Sequence, residues 1–179
     1  MKNPASLQPG SVSYWQVFSA AALAIAIAAF TVPAQAQFLM GDNPDWTETE
    51  APPPPAFDMA KLLTVDVSPN SAMVFGVDPA TVSVSSVDGI VRYVIVAVSS
   101  TGVKNAMYEA IRCSTGEVKT YARQSNEGKW NAIAQPEWRS MYGNIGSKHA
   151  LRFAKAGACD NAASVASVKA LEARLKSGQ

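Results

Sequence analysis

The chain has 179 residues, with 15 basic and 14 acidic side chains, a single histidine and two cysteines. A formal charge of +1 offers no electrostatic case for nucleic acid, which is excluded as a partner. A zinc site takes about four ligands, and so few histidines and cysteines would need carboxylates to complete one; no metal and no cofactor is expected.

Lys2 is the only basic residue before Lys61. The uncharged apolar run "VFSAAALAIAIAAFTV", Val17 to Val32, is ~16 residues long, short of the ~20 that span a bilayer. It ends in "VPAQAQ", where Ala34 and Ala36 form the small-x-small pattern of a signal peptidase site. Residues 1–36 therefore read as a cleaved signal peptide, cut between Ala36 and Gln37. No cysteine follows the run to carry a lipid, and no later segment is apolar enough to span a membrane. The expected location is the periplasm, with association to the outer membrane as an option.

Residues 37–58 are acidic and proline-rich, and Pro52 to Pro55 should form an extended polyproline rod. The segment reads as a spacer or as a docking peptide for another protein; Trp46 and Phe57 are its two residues able to pack on a domain. Asp42, Asp45, Glu48 and Glu50 make this end acidic. Arg112, Lys119, Arg123, Lys129, Arg139, Lys148, Arg152 and Lys155 make the later part basic, an ordinary solvated surface or a mild face for anionic envelope components.

From residue 59 to 179 a single α+β domain is expected. Short β-rich runs cover Leu62–Val67, Ala72–Val77 and Thr81–Val87, broken at Ser68-Pro69-Asn70, Asp78-Pro79 and Asp88-Gly89. "IVRYVIVAV", Ile90 to Val98, is apolar on both alternating sets and reads as a strand covered on both faces. Ala106–Cys113 and Glu117–Ala122 follow across short turns, which implies an antiparallel meander. Strict alternation puts Met107, Glu109, Ile111 and Cys113 on one face, and Tyr108, Ala110 and Arg112 on the other. On the next strand it sets Val118, Thr120 and Ala122 against Glu117, Lys119 and Tyr121.

The C-terminal part reads as helices packed on that sheet: Pro136–Gly143, then Ser147–Ala158 capped by Ser147, then Ala162–Lys176 capped by Asp160 or Asn161. Strands first and helices later make α+β rather than parallel α/β.

The run "VRYVIVAVSSTGVKNAMYEAIRCSTGEVKTYAR", Val91 to Arg123, with Trp130 soon after, resembles the CNP1-like family of proteobacterial envelope proteins. Its distinctive order is a tyrosine-bearing strand, a Ser/Gly turn, then Asn, Tyr-Glu, Arg-Cys and Tyr-Ala. The resemblance extends over about 62–158. It implies an exported protein, and it carries no catalytic residue across, because the family supplies none.

For an exported chain, Cys113 and Cys159 are most simply one disulfide. Their spacing excludes a C-x-x-C redox pair. A Cys113–His149 dyad is arithmetically open but lacks the Gly-rich or elbow context of such nucleophiles. Glu109, Glu117, Glu127 and Glu137 leave a carboxylate pair open. G-x-S-x-G, H-E-x-x-H, P-loop and Rossmann patterns are absent. Tyr93, Tyr108, Arg112, Tyr121, Arg123, Trp130 and Trp138 form the candidate binding face, for a glycan, a peptide or an anionic lipid head group. The competing reading packs these aromatics under the helices with the arginine heads in solvent.

The leading expectation is an exported, non-enzymatic binding or interaction module of the envelope. A small periplasmic hydrolase or thiol enzyme is one alternative. The other is a structural or assembly factor acting through the proline-rich segment.

Overall fold

A computed structural model describes residues 45–68, 71–144 and 148–178. The signal peptide, the Ala36–Gln37 junction and Ser147 lie outside the described residues. Among those described, no helix is long and apolar enough to cross a membrane.

An antiparallel sheet of eight strands organises the chain. Its strands are β1 (Leu63–Val65), β2 (Met73–Val77), β3 (Ser83–Val84), β4 (Ile90–Ser99), β5 (Lys104–Arg112), β6 (Glu117–Gln124), β7 (Trp130–Ala132) and β8 (Arg139–Ser140). The main order is β1-β2-β4-β5-β6-β7, with β3 also paired to β4 and β8 also paired to β6. The β4–β5–β6 meander expected from the short turns is present. β4 lies inside the sheet, and Ile90 to Ala97 are all buried, which is why both of its residue sets are apolar. The Thr81–Val87 run keeps only two residues of strand. Thr81 instead closes a 3-10 turn over Pro79–Thr81, where its hydroxyl donates to the Asp78 carbonyl and accepts from Val94 N.

The register of β5 on β6 shifts after Tyr108: Tyr108 faces Ala122, whereas Glu109 faces Thr120. Tyr121 is the extra residue of a bulge. Tyr121 and Ala122 consequently both pack on the Tyr108 side, correcting the strict alternation that put Ala122 with Val118 and Thr120. Beyond the bulge Arg123 pairs with Met107, and its Nη1 reaches Met107 Sδ at 3.0 Å.

One sheet face is covered by the C-terminal segments. Helix α1 (His149–Phe153) runs into a wide turn over Ala154–Ala158. There follow a two-stranded ribbon of β9 (Cys159–Asp160) and β10 (Ala163–Ser164), and then α2 (Val168–Ser177). Phe153, Leu171 and Leu175 pack with Phe75, Val77, Ile95 and Ile111 in this core. Gly157 holds φ 135°, and a Cβ there would lie 2.8 Å from Arg174 Cδ, so the turn needs glycine both for its backbone and for the approach of α2.

Two helical expectations need correction. Residues 136–143 form no helix; Arg139 and Ser140 pair with Val118 and Glu117. Trp138 turns to one side of the sheet to meet Glu48, while Met141 is buried in the helix-side core. Residues three apart share one side of a helix but take opposite sides of an extended chain, so these two anchors select the extended form. The last helix begins at Val168 rather than 162, capped by Ser167, whose Oγ accepts from Ala170 N at 3.2 Å. Asp160 and Asn161 instead serve the β9–β10 turn, Asn161 at φ 56°.

Cys113 and Cys159 form a disulfide with Cα atoms 5.7 Å apart, linking the end of β5 to β9. The constraint on the unfolded chain is worth about 4 kcal/mol in the loop-entropy account.

Candidate functional site

The opposite sheet face carries a smaller core of Val94, Val96, Ala106, Tyr108 and Ala122. The acidic segment is not held off as a spacer: residues 46–58 lie across this face as a strap. At its far end, Asp58 N donates to Asp78 Oδ2 at 2.8 Å, and Phe57 packs edge-on against Trp130 with ring centroids 6.4 Å apart.

At its near end the strap is held by side chains. Trp46 Nε1 donates to the Asp88 carbonyl at 2.8 Å. Thr49 gives its amide and its hydroxyl to Asp88 Oδ2 at 3.0 and 2.5 Å, and Arg92 Nη2 donates back to the Thr49 carbonyl at 2.9 Å. Arg92 and Asp88 are themselves an ion pair at 3.0 Å, both buried. Burial pushes the Asp88 carboxyl up, but bonds from Ser85, Thr49 and Arg92 outweigh it and leave the group well below the usual carboxylate range.

Glu48 is the centre of the next cluster. Its carboxylate accepts from Lys119 Nζ at 2.5 Å, Tyr121 OH at 2.6 Å and Trp138 Nε1 at 3.1 Å. Burial raises the Glu48 carboxyl, and these donors together with the Lys119 charge bring it below its ordinary value. The Arg112 guanidinium sits 3.7 Å from the Trp46 ring centroid, and Trp46 meets Trp138 edge-on at 6.0 Å. The Tyr121 phenol is pushed up by burial and by its bond to Glu48.

Farther along the same face, beside the Pro54 and Phe57 end of the strap, a groove of about 830 Å³ opens. Val96 and Ala106 contribute from the sheet, Phe57 from the strap and Trp130 from β7, while the β4–β5 and β6–β7 turns form its rim. Val103 and Met59, both exposed, border it. Lys104 lines it, and no carboxylate does.

The candidate face of the sequence thus divides. Tyr108, Arg112, Tyr121, Trp130 and Trp138 gather on the strap side. Tyr93 and Arg123 lie on the helix side, Tyr93 buried against Phe153 with centroids 4.5 Å apart. The strap-side aromatics pack under residues 46–58 of the chain rather than under helices.

Sequence reasoning also kept apart two residues that the fold joins. Glu109, 2% exposed, accepts from Tyr93 OH at 3.1 Å and Thr120 Oγ1 at 3.0 Å, and His149 Nε2 lies 2.8 Å from its Oε2. His149 stacks on Phe75 at 5.3 Å. The Tyr93 phenol is pushed up by burial and then by the Glu109 charge. The signal was present: Glu109 shares a strand face with Met107 and Ile111, and a carboxylate on an apolar face demands donors. His149 therefore partners Glu109, and Cys113 holds no thiol for a dyad. Glu117 meets Arg112 at 3.8 Å, while Glu127 and Glu137 are exposed. Among the described residues no group of three or more His, Cys, Asp or Glu could hold a metal ion.

Together these features define a mostly β α+β domain, stapled by one disulfide and clasped across one sheet face by its own N-terminal strap. The chain belongs to the CNP1-like family, whose model matches residues 41–176. That match takes in the strap and the last helix as well as the sheet. No curated protein and no solved structure is detectably similar to the chain.

Proposed function

We propose that the protein is an exported, non-enzymatic binding module of the bacterial cell envelope, and that its ligand is an anionic amphiphile. The observation that carries this reading is the groove: an aromatic wall at Phe57 and Trp130, exposed Met59 and Val103 at its border over a floor closed by the buried Val96 and Ala106, one lysine and no carboxylate. An apolar body would lie along the floor and an anionic head would meet Lys104. Export draws support from the apolar leader with its A-x-A site and from the disulfide, which suits an oxidising compartment.

The test is calorimetric titration of the purified protein with dodecyl phosphate, beside the uncharged dodecyl glucoside. Saturable binding of the phosphate is expected, weakened at least about tenfold by Lys104→Glu, which removes one charge-assisted contact and sets a carboxylate against the phosphate. Binding of neither compound, or equal binding by the Lys104→Glu protein, removes the reading. Preference for the glucoside would shift the ligand to a glycan stacked on Trp130. Export is checked by the intact mass of protein from the periplasmic fraction, which should begin at Gln37.

A further inference from the structure

The contacts of Trp46, Glu48 and Thr49 resemble recognition of an extended peptide more than the pairing of a strand. Residues 46–58 enter no β ladder. Trp46, Glu48 and Thr49 are half-buried, while Thr47 and Glu50 are exposed. Each inward residue has its own receptor. The Trp46 ring lies against the Arg112 guanidinium; the Glu48 carboxylate takes three donors from Lys119, Tyr121 and Trp138; Thr49 exchanges hydrogen bonds with Asp88 and Arg92.

The receptor is charge-complementary to what it holds. Lys119 and Glu48 have side chains only 13% and 19% exposed, so their attraction is poorly screened. The ring of Trp138 lies 5.0 Å from Lys119 Nζ, which keeps the ammonium in place beside the carboxylate.

The strap is joined to the domain through Pro52 to Pro55. These residues have no N–H to donate, so the connection cannot zip onto the sheet as a strand. Lifting Trp46–Thr49 breaks side-chain contacts and leaves the β ladder whole.

We propose that this cluster is a docking site for an acidic peptide of a partner protein, with an aromatic residue two positions before a glutamate, and that Trp46–Thr49 is its built-in occupant. The partner's glutamate takes the place of Glu48 between Lys119, Tyr121 and Trp138, and its aromatic ring takes the place of Trp46 on Arg112. The tethered occupant competes at an effective concentration of roughly millimolar, so the site admits a partner only when the strap is out or the partner outbids it. None of these receptor residues lines the groove, and the inference does not rest on the amphiphile reading.

The experiment uses the full chain and, as probe, a dye-labelled, end-capped peptide of sequence DWTETE, residues 45–50. Fluorescence anisotropy is read on the unaltered chain, on the Trp46→Ala/Glu48→Ala chain, and on that chain carrying Lys119→Glu as well. The opened chain should bind the probe at least about tenfold more tightly than the unaltered one. Lys119→Glu, or a probe with Gln at the Glu48 position, should cost about tenfold of that gain. Equal binding to opened and unaltered chains, or indifference to Lys119→Glu, overturns the proposal. A separate measurement covers the case in which the opened chain fails to fold. In the unaltered protein, the Thr49 amide should exchange with solvent through strap opening, faster than the amides of β4. Exchange of Thr49 only at the rate of β4 would mean that the strap never leaves on its own, and the proposal would fall.

Discussion

His149 and Glu109, 40 residues apart in sequence, meet at 2.8 Å between Nε2 and Oε2 inside the helix-side core. The same carboxylate accepts the Tyr93 and Thr120 hydroxyls, so one acidic group joins β4, β5, β6 and α1. Removing it takes a hydrogen-bond partner from three side chains at once. Glu109→Ala should destabilise the domain by about 3–5 kcal/mol, and Glu109→Gln, which keeps an acceptor, by clearly less. Urea unfolding followed by circular dichroism compares them; equal, small losses would show that the network contributes little.

The disulfide gives a second test. Cys113→Ser/Cys159→Ser, or reduction of the native protein, should lower stability by about 2–4 kcal/mol while the sheet still forms, because the effect acts chiefly on the unfolded chain. The far-UV spectrum should be retained and the urea midpoint should fall. A midpoint that does not move would mean that the closed loop is already constrained when unfolded.

Stability should respond to pH at both ends. Glu48 and Asp88 have folded values lowered from 4.5 and 3.8, so the folded state binds their protons less readily than the unfolded chain does. Their contribution is complete above those ordinary values and is lost as pH falls through the depressed folded ones. Tyr93 and Tyr121 have the opposite sign: both phenols are raised from 10.0, so their contribution is present below that value and is lost as pH rises through the folded ones. Chemical unfolding should show a plateau near neutrality and a decline in acid, with tryptophan emission changing as Trp46 and Trp138 separate. Glu48→Gln should flatten part of the acid limb; an unchanged limb would locate the linkage elsewhere.

Gly157→Ala should cost about 2–3 kcal/mol, since alanine at φ 135° is strained and its Cβ would press on Arg174 Cδ at 2.8 Å. Thermal unfolding reads the change. Arg174→Ala in the same chain should recover only part of the steric cost, because the Arg174 Cβ, which alanine keeps, would still lie 2.9 Å from the added Cβ. Full recovery would show that backbone conformation is not at issue.

Much of the sheet was legible in advance because its signals are local. Ile90–Val98 reads as a doubly covered strand from its own composition, and the turns at Ser99-Ser100-Thr101-Gly102 and Ser114-Thr115-Gly116 set the meander. The strap-side cluster was legible in part. Tyr108, Arg112 and Tyr121 share a face by alternation on two strands joined by a short turn. Arg123 departs from that face because a single extra residue at Tyr121 reverses every side chain after it, and nothing in "EVKTYAR" announces a bulge. Residues 136–143 carry helix-compatible punctuation, a proline and a glycine, that serves turns equally well. The same holds for Asp160 and Asn161, cap residues by type that here turn a ribbon.

By itself the sequence determined the class of the fold, the antiparallel meander of its three central strands and the pairing of its only two cysteines, since alternation, turn chemistry and cysteine count act over a few residues or by arithmetic. The tertiary structure alone decided that Glu48 lies between Lys119, Tyr121 and Trp138, that Glu109 meets His149, and that the acidic segment clasps the sheet instead of extending from it. Those contacts span 40 to 90 residues, and charge complementarity over such distances leaves no periodic trace in the chain. It arises only when the sheet has brought the donors to one face, and only then does an unpaired carboxylate have one place where its desolvation is offset.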